Sequence, residues 1–359
     1  MVAVAAVAVV VAAYHVVKLA GLAVNLVAFP TLTAGSSAPG RPRTSILVPA
    51  RNEAGRLPDT LPGLLAQPAD EVLVLDDQSS DGTADVVSGF TEPRLRLIQG
   101  TAPPPGWIGK NWACHQLATA ATGDLLVFCD ADVTLHPGAL DAVWHQMCGQ
   151  AADVFSVFPR QHAGTLGERL LVPLIDETLL GFLPHPLLDR SVPSAATANG
   201  QCLGFRRDAY RTVGGHRAVA GRIVEDVALA RHSRKAGLKL GLALGGDLVA
   251  ARMYRDYRST VRGLGKSLRA AHAGSDLLLV GSAAWHLTAY TVPWVCWCRG
   301  RAWRLAALLG PAERLLVNLK TGRKGYAEPA LVPVTAPAAL PVYLVALRRA
   351  TRWKDRSYR

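Results

Sequence analysis

Residues 2–29 form an apolar run interrupted only by Tyr14, His15, Lys18 and Asn25. As a helix rising about 1.5 Å per residue, that run crosses a hydrocarbon core of about 30 Å. Residues 1–30 therefore read as a transmembrane anchor; the apolar part is too long for a cleaved signal peptide and no basic segment precedes it. In 31–43 the composition shifts to Thr, Gly, Ser, Pro and Arg, which cannot build a core, so this stretch reads as a linker. Beyond it the period changes. Short β-rich runs at 45–48, 72–75, 125–129 and 154–158 alternate with helix-length segments such as 54–66 and 137–146. That alternation predicts an α/β domain with a largely parallel sheet over 44–253.

After residue 250 the pattern becomes basic and amphipathic. Arg255, Arg258, Arg262, Lys266 and Arg269 share the stretch with Tyr257, Val261, Leu264 and Leu268 at helical spacing. The expectation for 254–272 is a helix lying on a membrane surface, an ordinary solvated helix being the alternative. Residues 275–298 and 330–347, and more weakly 303–319, are further membrane candidates within a C-terminal region 273–348, followed by a basic tail, 349–359. Basic residues flank each of these segments on both sides, so charge asymmetry does not fix their topology.

Composition narrows the function classes. A chain of 359 residues, 50% hydrophobic and 18% charged, can hold one sizeable core plus membrane segments. The formal net charge of +12 suits nucleic acid, an anionic membrane or a phosphate-bearing substrate. Many basic residues fall after Gly221 beside apolar runs, and the sparse aromatics (6%) do not interleave with them, so the membrane is the expected partner and nucleic acid is not. Cys114, Cys129, Cys148, Cys202, Cys296 and Cys298 lack paired C-x-x-C spacing. They read as free thiols in a reducing cytosol rather than as a disulfide or zinc framework. The expected location is the cell membrane, multi-pass, with the α/β domain cytoplasmic.

Carboxylates mark the strand ends, where parallel sheets collect function. The first strand runs into Pro49, Arg51 and Glu53, the second into Asp76, Asp77 and Asp81, the third into Asp130 and Asp132. Two residues apart on a strand, Asp130 and Asp132 are expected to point the same way, and two hard carboxylates suit Mg2+ or Mn2+. For Asp76 and Asp77, turn formation and helix capping are the alternative. Glu225 and Asp226 open a predicted helix, where a carboxylate is stabilised as an anion and can act as a general base. A capping pair without chemistry is the other reading. His115, His216 and His232 lack mutual metal-ligand spacing and read as packed or solvated, His216 being the one worth testing.

In order, PARNE at 49–53, LDDQSSDGT at 75–83, GWIGKNWA at 106–113, DAD at 130–132 and VEDVALA at 224–230 give a chain that resembles the family 2 glycosyltransferases of GT-A fold over roughly 45–268. The resemblance implies a Rossmann-like, mostly parallel sheet flanked by helices, here with N- and C-terminal transmembrane helices. It places Pro49, Arg51, Glu53, Asp76 and Asp77 at the donor nucleotide, Lys110 at a donor phosphate, and Asp130 at the diphosphate. It also implies a metal on Asp130 and Asp132, and Asp226, with Glu225 beside it, as catalytic base. A P-loop reading of Lys110 fails, since Pro104 and Asn111 stand where Gly and Ser or Thr are required. The segments GWIGKNWACHQLA, ANGQCLGFRRDAY, VGGH and RWKDRSY look similar to a membrane-bound group that includes hopanoid-associated and carotenoid glycosyltransferases. Where processive synthases carry Q-x-x-R-W, this chain has YRDYRSTVRGLGK. The resemblance thus implies inverting transfer of a single sugar from a nucleotide-sugar donor, with UDP-sugar expected, to a hydroxyl of a lipid acceptor. A polyprenyl-phosphate sugar transferase and a non-catalytic nucleotide-binding membrane scaffold are the alternatives.

Overall fold

Runs of Val, Leu, Ile and Phe bounded by turn residues become buried strands. The computed structural model describes residues 2–35, 40–188, 196–348, 351–353 and 356–358; part of the expected linker (36–39) and parts of the basic tail fall outside these. The strands are β1 (Thr44–Ala50), β2 (Glu71–Asp76), β3 (Leu95–Gln99), β4 (Leu125–Cys129), β5 (Val133–Leu135), β6 (Val154–Phe158), β7 (Cys202–Arg206), β8 (Leu240–Leu244) and β9 (Val249–Ala251). Seven of them form one sheet in the order β3-β2-β1-β4-β7-β6-β8. All run the same way except β7, which is antiparallel to both β4 and β6. Strands β2, β4, β6 and β8 are buried throughout, as a sheet covered on both faces requires. The expected helices at 54–66 and 137–146 are Leu57–Leu65 and Ala139–Gly149.

The chain divides into two compact units: Pro30–Arg160 with Pro186–Ala251, which holds the sheet, and Met1–Phe29 with Gln161–His185 and Arg252–Arg359. The stretch expected to be one α/β domain therefore contains an excursion, Gln161–His185, that groups with the terminal segments.

The second unit is helical. Val2–Ala28 packs along Arg301–Thr321 and Pro173–Phe182, and Tyr257–Ala271 and Asp276–Tyr290 pack along Val332–Leu347. Two helices, Val4–Ala28 and Glu328–Leu347, are long and apolar enough to cross a membrane. The candidate at 275–298 is not one span. It breaks after Tyr290, resumes as Val292–Val295 with Pro293 in its first turn, and ends in the 3-10 turn Trp297–Arg299. Asp276–Tyr290 has 15 residues, about 22 Å of helix and short of a bilayer core. Tyr257–Ala271 starts at a capping box of Asp256 and Ser259. Val261, Leu264 and Leu268 of its apolar stripe join a cluster with Val342 and Val345 in which Leu264 and Leu268 are half-buried. In the tail, Thr351–Trp353 pairs antiparallel with Arg356–Tyr358.

Polar residues that interrupt the first apolar run are buried and partnered. Lys18 Nζ donates to Glu313 Oε2 (2.8 Å) and to the Tyr290 hydroxyl, and His15 Nδ1 lies 2.7 Å from Glu313 Oε1. Asn25 Nδ2 donates to the carbonyls of Leu180 (2.8 Å) and Leu183 (3.0 Å), and its Oδ1 accepts from His185 N. Arg314 pairs with Glu177. Desolvated ionic groups survive only with such compensation.

Candidate active site

The loops that leave β1 and β2 lock each other. Asn52 N donates to Ser79 Oγ (2.9 Å), Ser80 N to Asn52 Oδ1 (2.9 Å), Glu53 N to Thr83 Oγ1 (2.8 Å) and Ala54 N to Asp81 Oδ2 (3.0 Å). Asn52 and Gln78 hold φ values of 52° and 58°, a left-handed conformation that non-glycine residues keep only where the surroundings impose it. Arg51 Nη1 donates to the carbonyls of Asp77 (2.6 Å) and Gln78 (3.1 Å), so this guanidinium braces the neighbouring loop. Pro49 lies within β1, opposite Leu75. Asp76 Oδ1 accepts from Ser79 N (3.3 Å), and Asp81 binds Thr83 and Ala54. The helix Thr83–Ser88 begins at Gly82 without a side-chain cap; Asp76 and Asp77, both buried, are not its N-cap.

Asp130 and Asp132 are brought together by a turn rather than by strand alternation. Strand β4 ends at Cys129, and Val133 N donates back to Asp130 O (3.0 Å). Lys110, in the first turn of the helix Gly109–Ala120, places Nζ 2.8 Å from Asp130 Oδ1 and 3.0 Å from Glu225 Oε1. One ammonium thus joins the 130–132 turn to the acidic pair at the start of the helix Glu225–Lys235. Burial works against the lysine charge, yet Asp130 and Glu225 hold its pKa well above the usual lysine value. Glu53 pairs with Arg56 (2.6 Å). Burial, and then the charges of Asp130 and Glu53, push the Asp132 carboxyl up to about 6.

Asp226 accepts from Gly200 N (2.8 Å) at one oxygen and Val227 N (2.8 Å) at the other. Burial, followed by the adjacent Glu225, pushes its pKa up to about 6 against the pull of Lys110 and these two N–H groups.

The segment Asn199, Gly200, Gln201 completes the arrangement, and sequence reasoning gave it no role. Gln201 Nε2 donates to Asp132 Oδ1 (3.3 Å), Gln201 O accepts from Asp130 N (2.9 Å), and Asn199 Oδ1 holds Gln201 N (2.8 Å). Between them, Gly200 approaches so closely that a Cβ there would stand 3.2 Å from Asp226 Cβ and 3.3 Å from Glu225 Oε1. These residues reach the site because β7 runs backwards, so its start lies at the edge where its parallel neighbours end.

Asn111 is a second unanticipated contributor. Fully buried, it turns Nδ2 to the carbonyls of Val219 (2.8 Å), Ala220 (2.9 Å) and Arg222 (3.0 Å), fixing the approach to Asp226. Asn111→Ala, which strands these carbonyls, is expected to cost about 3 kcal/mol. A lowered thermal midpoint of the purified full chain checks this, and an unchanged midpoint contradicts it.

His216 keeps the bland reading. It is buried against Phe128 and hydrogen-bonded to Tyr210, and burial, then the charges of Lys110 and His115, push its pKa down to about 3, so it stays neutral. His115 lies among Trp107 and Trp112, and His232 bonds the carbonyl of Ala228.

Among the described residues, no group of three or more His, Cys, Asp or Glu surrounds a single point. Two carboxylates, Asp130 and Asp132, are the donor set a Mg2+ or Mn2+ takes when substrate phosphates and water fill its other positions. Burial first, and then the charges of Asp130 and Glu53, raise the Asp132 carboxyl, and a cation beside these carboxylates would offset the charge part of that shift.

Residues 45–214 match the family described as Glycosyl transferase family 2. This part of the chain is a family 2 glycosyl transferase domain. The match takes in Lys110, Asp130 and Asp132 and stops short of Glu225 and Asp226. Over 230 residues the chain is 30% identical to the 4,4'-diaponeurosporenoate glycosyltransferase of Staphylococcus haemolyticus, covering 62% of this chain and 60% of that protein. The enzyme of the same description from Staphylococcus aureus is 29% identical over 237 residues, covering 64% and 62%. The chain thus spans less than two thirds of the length of these relatives. In fold it is similar to the mannosyltransferase PcManGT from Pyrobaculum calidifontis, solved with GDP-Man and Mn2+, at a TM-score of 0.53 and 17% identity, over 96% of this chain and 98% of that one. The mixed sheet flanked by helices is the GT-A arrangement.

Proposed function

We propose that this protein transfers a single sugar from a nucleotide-diphosphate sugar, a UDP-sugar in the first instance, to a lipid acceptor, inverting the anomeric carbon. The observation that carries this reading is the Lys110 bridge, which joins the Asp130 turn to the acidic pair containing Asp226. Asp226 takes the proton of an acceptor hydroxyl, and the oxygen attacks the anomeric carbon as its bond to the diphosphate breaks. Lys110 offers its ammonium to the departing diphosphate, and Gly200 and Val227 hold the base in place. A Mg2+ or Mn2+ on Asp130 and Asp132 would supply further charge neutralisation there. Two helices among the described residues that are long and apolar enough to cross a membrane support membrane association; the multi-pass arrangement with a cytoplasmic sheet unit is part of the proposal.

The names of the relatives favour a second reading of the acceptor. A diaponeurosporenoate is a carboxylate, and an acceptor that arrives as an anion, whether carboxylate or polyprenyl phosphate, needs no base. The pH profile separates the two. With Asp226 at about 6, its ionised form dominates only above that pH, so a hydroxyl acceptor makes kcat/KM about tenfold lower at pH 5 than at pH 7. A flat profile across that range, measured with saturating metal, favours the anionic acceptor.

The direct test incubates membranes containing the full chain with labelled nucleotide sugars and Mg2+ or Mn2+, then analyses the lipid extract. One labelled sugar per lipid is expected. Label confined to water-soluble polymer overturns the proposal, and the absence of both transfer and donor hydrolysis leaves only a nucleotide-binding scaffold.

A further inference from the structure

Strand β7 is antiparallel, so Arg206 at its end stands opposite Leu125 at the start of β4. That is about 13 Å along the strand from the Cys129 end, which carries the Asp130 turn. At this other edge of the sheet lies a cleft of about 460 Å3, a volume in the range of small-molecule sites. Its walls include Arg207, Arg211, Arg217, His115 and Thr119 and, among the described residues, no Asp or Glu. None of the positions proposed for donor, metal or base lines it. The helix Gly109–Ala120 serves both places, Lys110 in its first turn at the Asp130 turn and His115 and Thr119 farther along at the cleft.

The three guanidiniums keep their charge. Arg207 Nε donates to the Gly123 carbonyl (2.6 Å) and Nη2 to that of Ala121 (2.9 Å), neutral partners that hold the group in place without cancelling it. Arg211 lies 3.7 Å from Asp208 with both side chains exposed, a contact worth little in water. The Arg217 side chain has no ion-pair or hydrogen-bond partner among the described residues. It follows Gly214 and Gly215, whose φ values of 75° and 53° suit glycine, and a Cβ on Gly215 would stand 2.4 Å from the Tyr210 ring. That turn buries His216 and leaves Arg217 exposed. Burial, and then the charge of Arg217, hold the His115 imidazole below the usual histidine pKa, so the two groups share one neighbourhood. Three positive charges gathered in a concavity repel one another, and an anion relieves the repulsion. Planar guanidiniums bind phosphate oxygens in pairs, and three of them suit a group with more than one negative charge. We propose that this cleft binds a phosphate-bearing ligand with at least two negative charges, at a site separate from that of sugar transfer. The site does not rest on the transfer reading.

The full chain in phosphatidylcholine nanodiscs is titrated calorimetrically with inorganic pyrophosphate while divalent cations are chelated. Saturable binding is expected. Arg211→Ala and Arg217→Ala, at exposed positions where the fold does not depend on them, each weaken it about tenfold by removing a charge-assisted contact. Lys110→Ala, at the transfer site, and Arg258→Ala, an exposed arginine outside the cleft, leave it unchanged. Nanodiscs with added phosphatidic acid identify the source of the phosphate. Pyrophosphate affinity that falls further than with phosphatidylglycerol at equal surface charge assigns the cleft to a lipid headgroup, and affinity that does not assigns it to a soluble phosphate ester. Absence of saturable binding to the parent overturns the proposal. So does binding that Arg258→Ala weakens as much as the cleft variants do, or that Lys110→Ala abolishes while both cleft variants bind like the parent.

Discussion

Asp226→Asn is expected to lower kcat for transfer to a hydroxyl acceptor about a thousandfold, in the range of a lost general base. The substitution is nearly isosteric, so the site should keep its shape, but an amide cannot hold a proton taken from the acceptor. One of the two N–H groups now aimed at the carboxylate, from Gly200 and Val227, will face an NH2 group instead, a local cost that falls on the base and not on the donor pocket. Donor affinity, measured by calorimetry with the nucleotide diphosphate, should therefore change by no more than about twofold, placing the loss in the chemical step. Full activity in the variant would remove the base and leave the anionic acceptor.

Asp130→Ala is expected to weaken Mn2+ binding in the presence of nucleotide diphosphate at least about 100-fold, since losing a group that merely orients a metal ligand already costs about 10–100-fold. The variant takes away one of two carboxylates proposed for the ion and one of two carboxylate partners of Lys110. The ammonium then keeps Glu225 of these two carboxylates, so two charges proposed to face the diphosphate are disturbed together. Electron paramagnetic resonance titration of free Mn2+ reads the loss without depending on turnover. Unaltered Mn2+ affinity would take Asp130 out of the metal site and leave Lys110 as the charge at the diphosphate.

The strands at 125–129 and 154–158 were legible because they are short apolar runs that end in turn residues, and both faces of each are buried. The edge strand β3 was harder to read, since its side chains are half exposed and include Arg96. At the C-terminal side, hydropathy alone gave 275–298 the look of one span, and the break near Pro293 divides it. In the site, strand-end logic located Asp130 and Asp132 although their actual geometry is a turn. Lys110 was expected at a phosphate; its present partners are Asp130 and Glu225, a pairing across distant parts of the chain that no local pattern contains. Asn199, Gly200 and Gln201, noted only within a segment of resemblance, received no role for a topological reason. A rule that looks after strands in a parallel sheet overlooks residues that precede an antiparallel one. Arg51, expected at the nucleotide, bonds the carbonyls of the next loop, a duty the motif does not reveal.

The bond between Lys18 and Glu313 has a consequence for the order in which this protein is assembled. Its partners are 295 residues apart, which at about 5–20 residues per second is about 15–60 s of synthesis. In a helix that inserts in a membrane as proposed for Val2–Ala28, a lysine near the centre costs about 2.5–3.5 kcal/mol, and during that interval its carboxylate does not exist. Helix Val2–Ala28 therefore acquires the charge partner of Lys18 only once Arg301–Thr321 has been made, and a chain arrested between the two would hold a finished sheet together with a helix whose lysine still lacks that carboxylate.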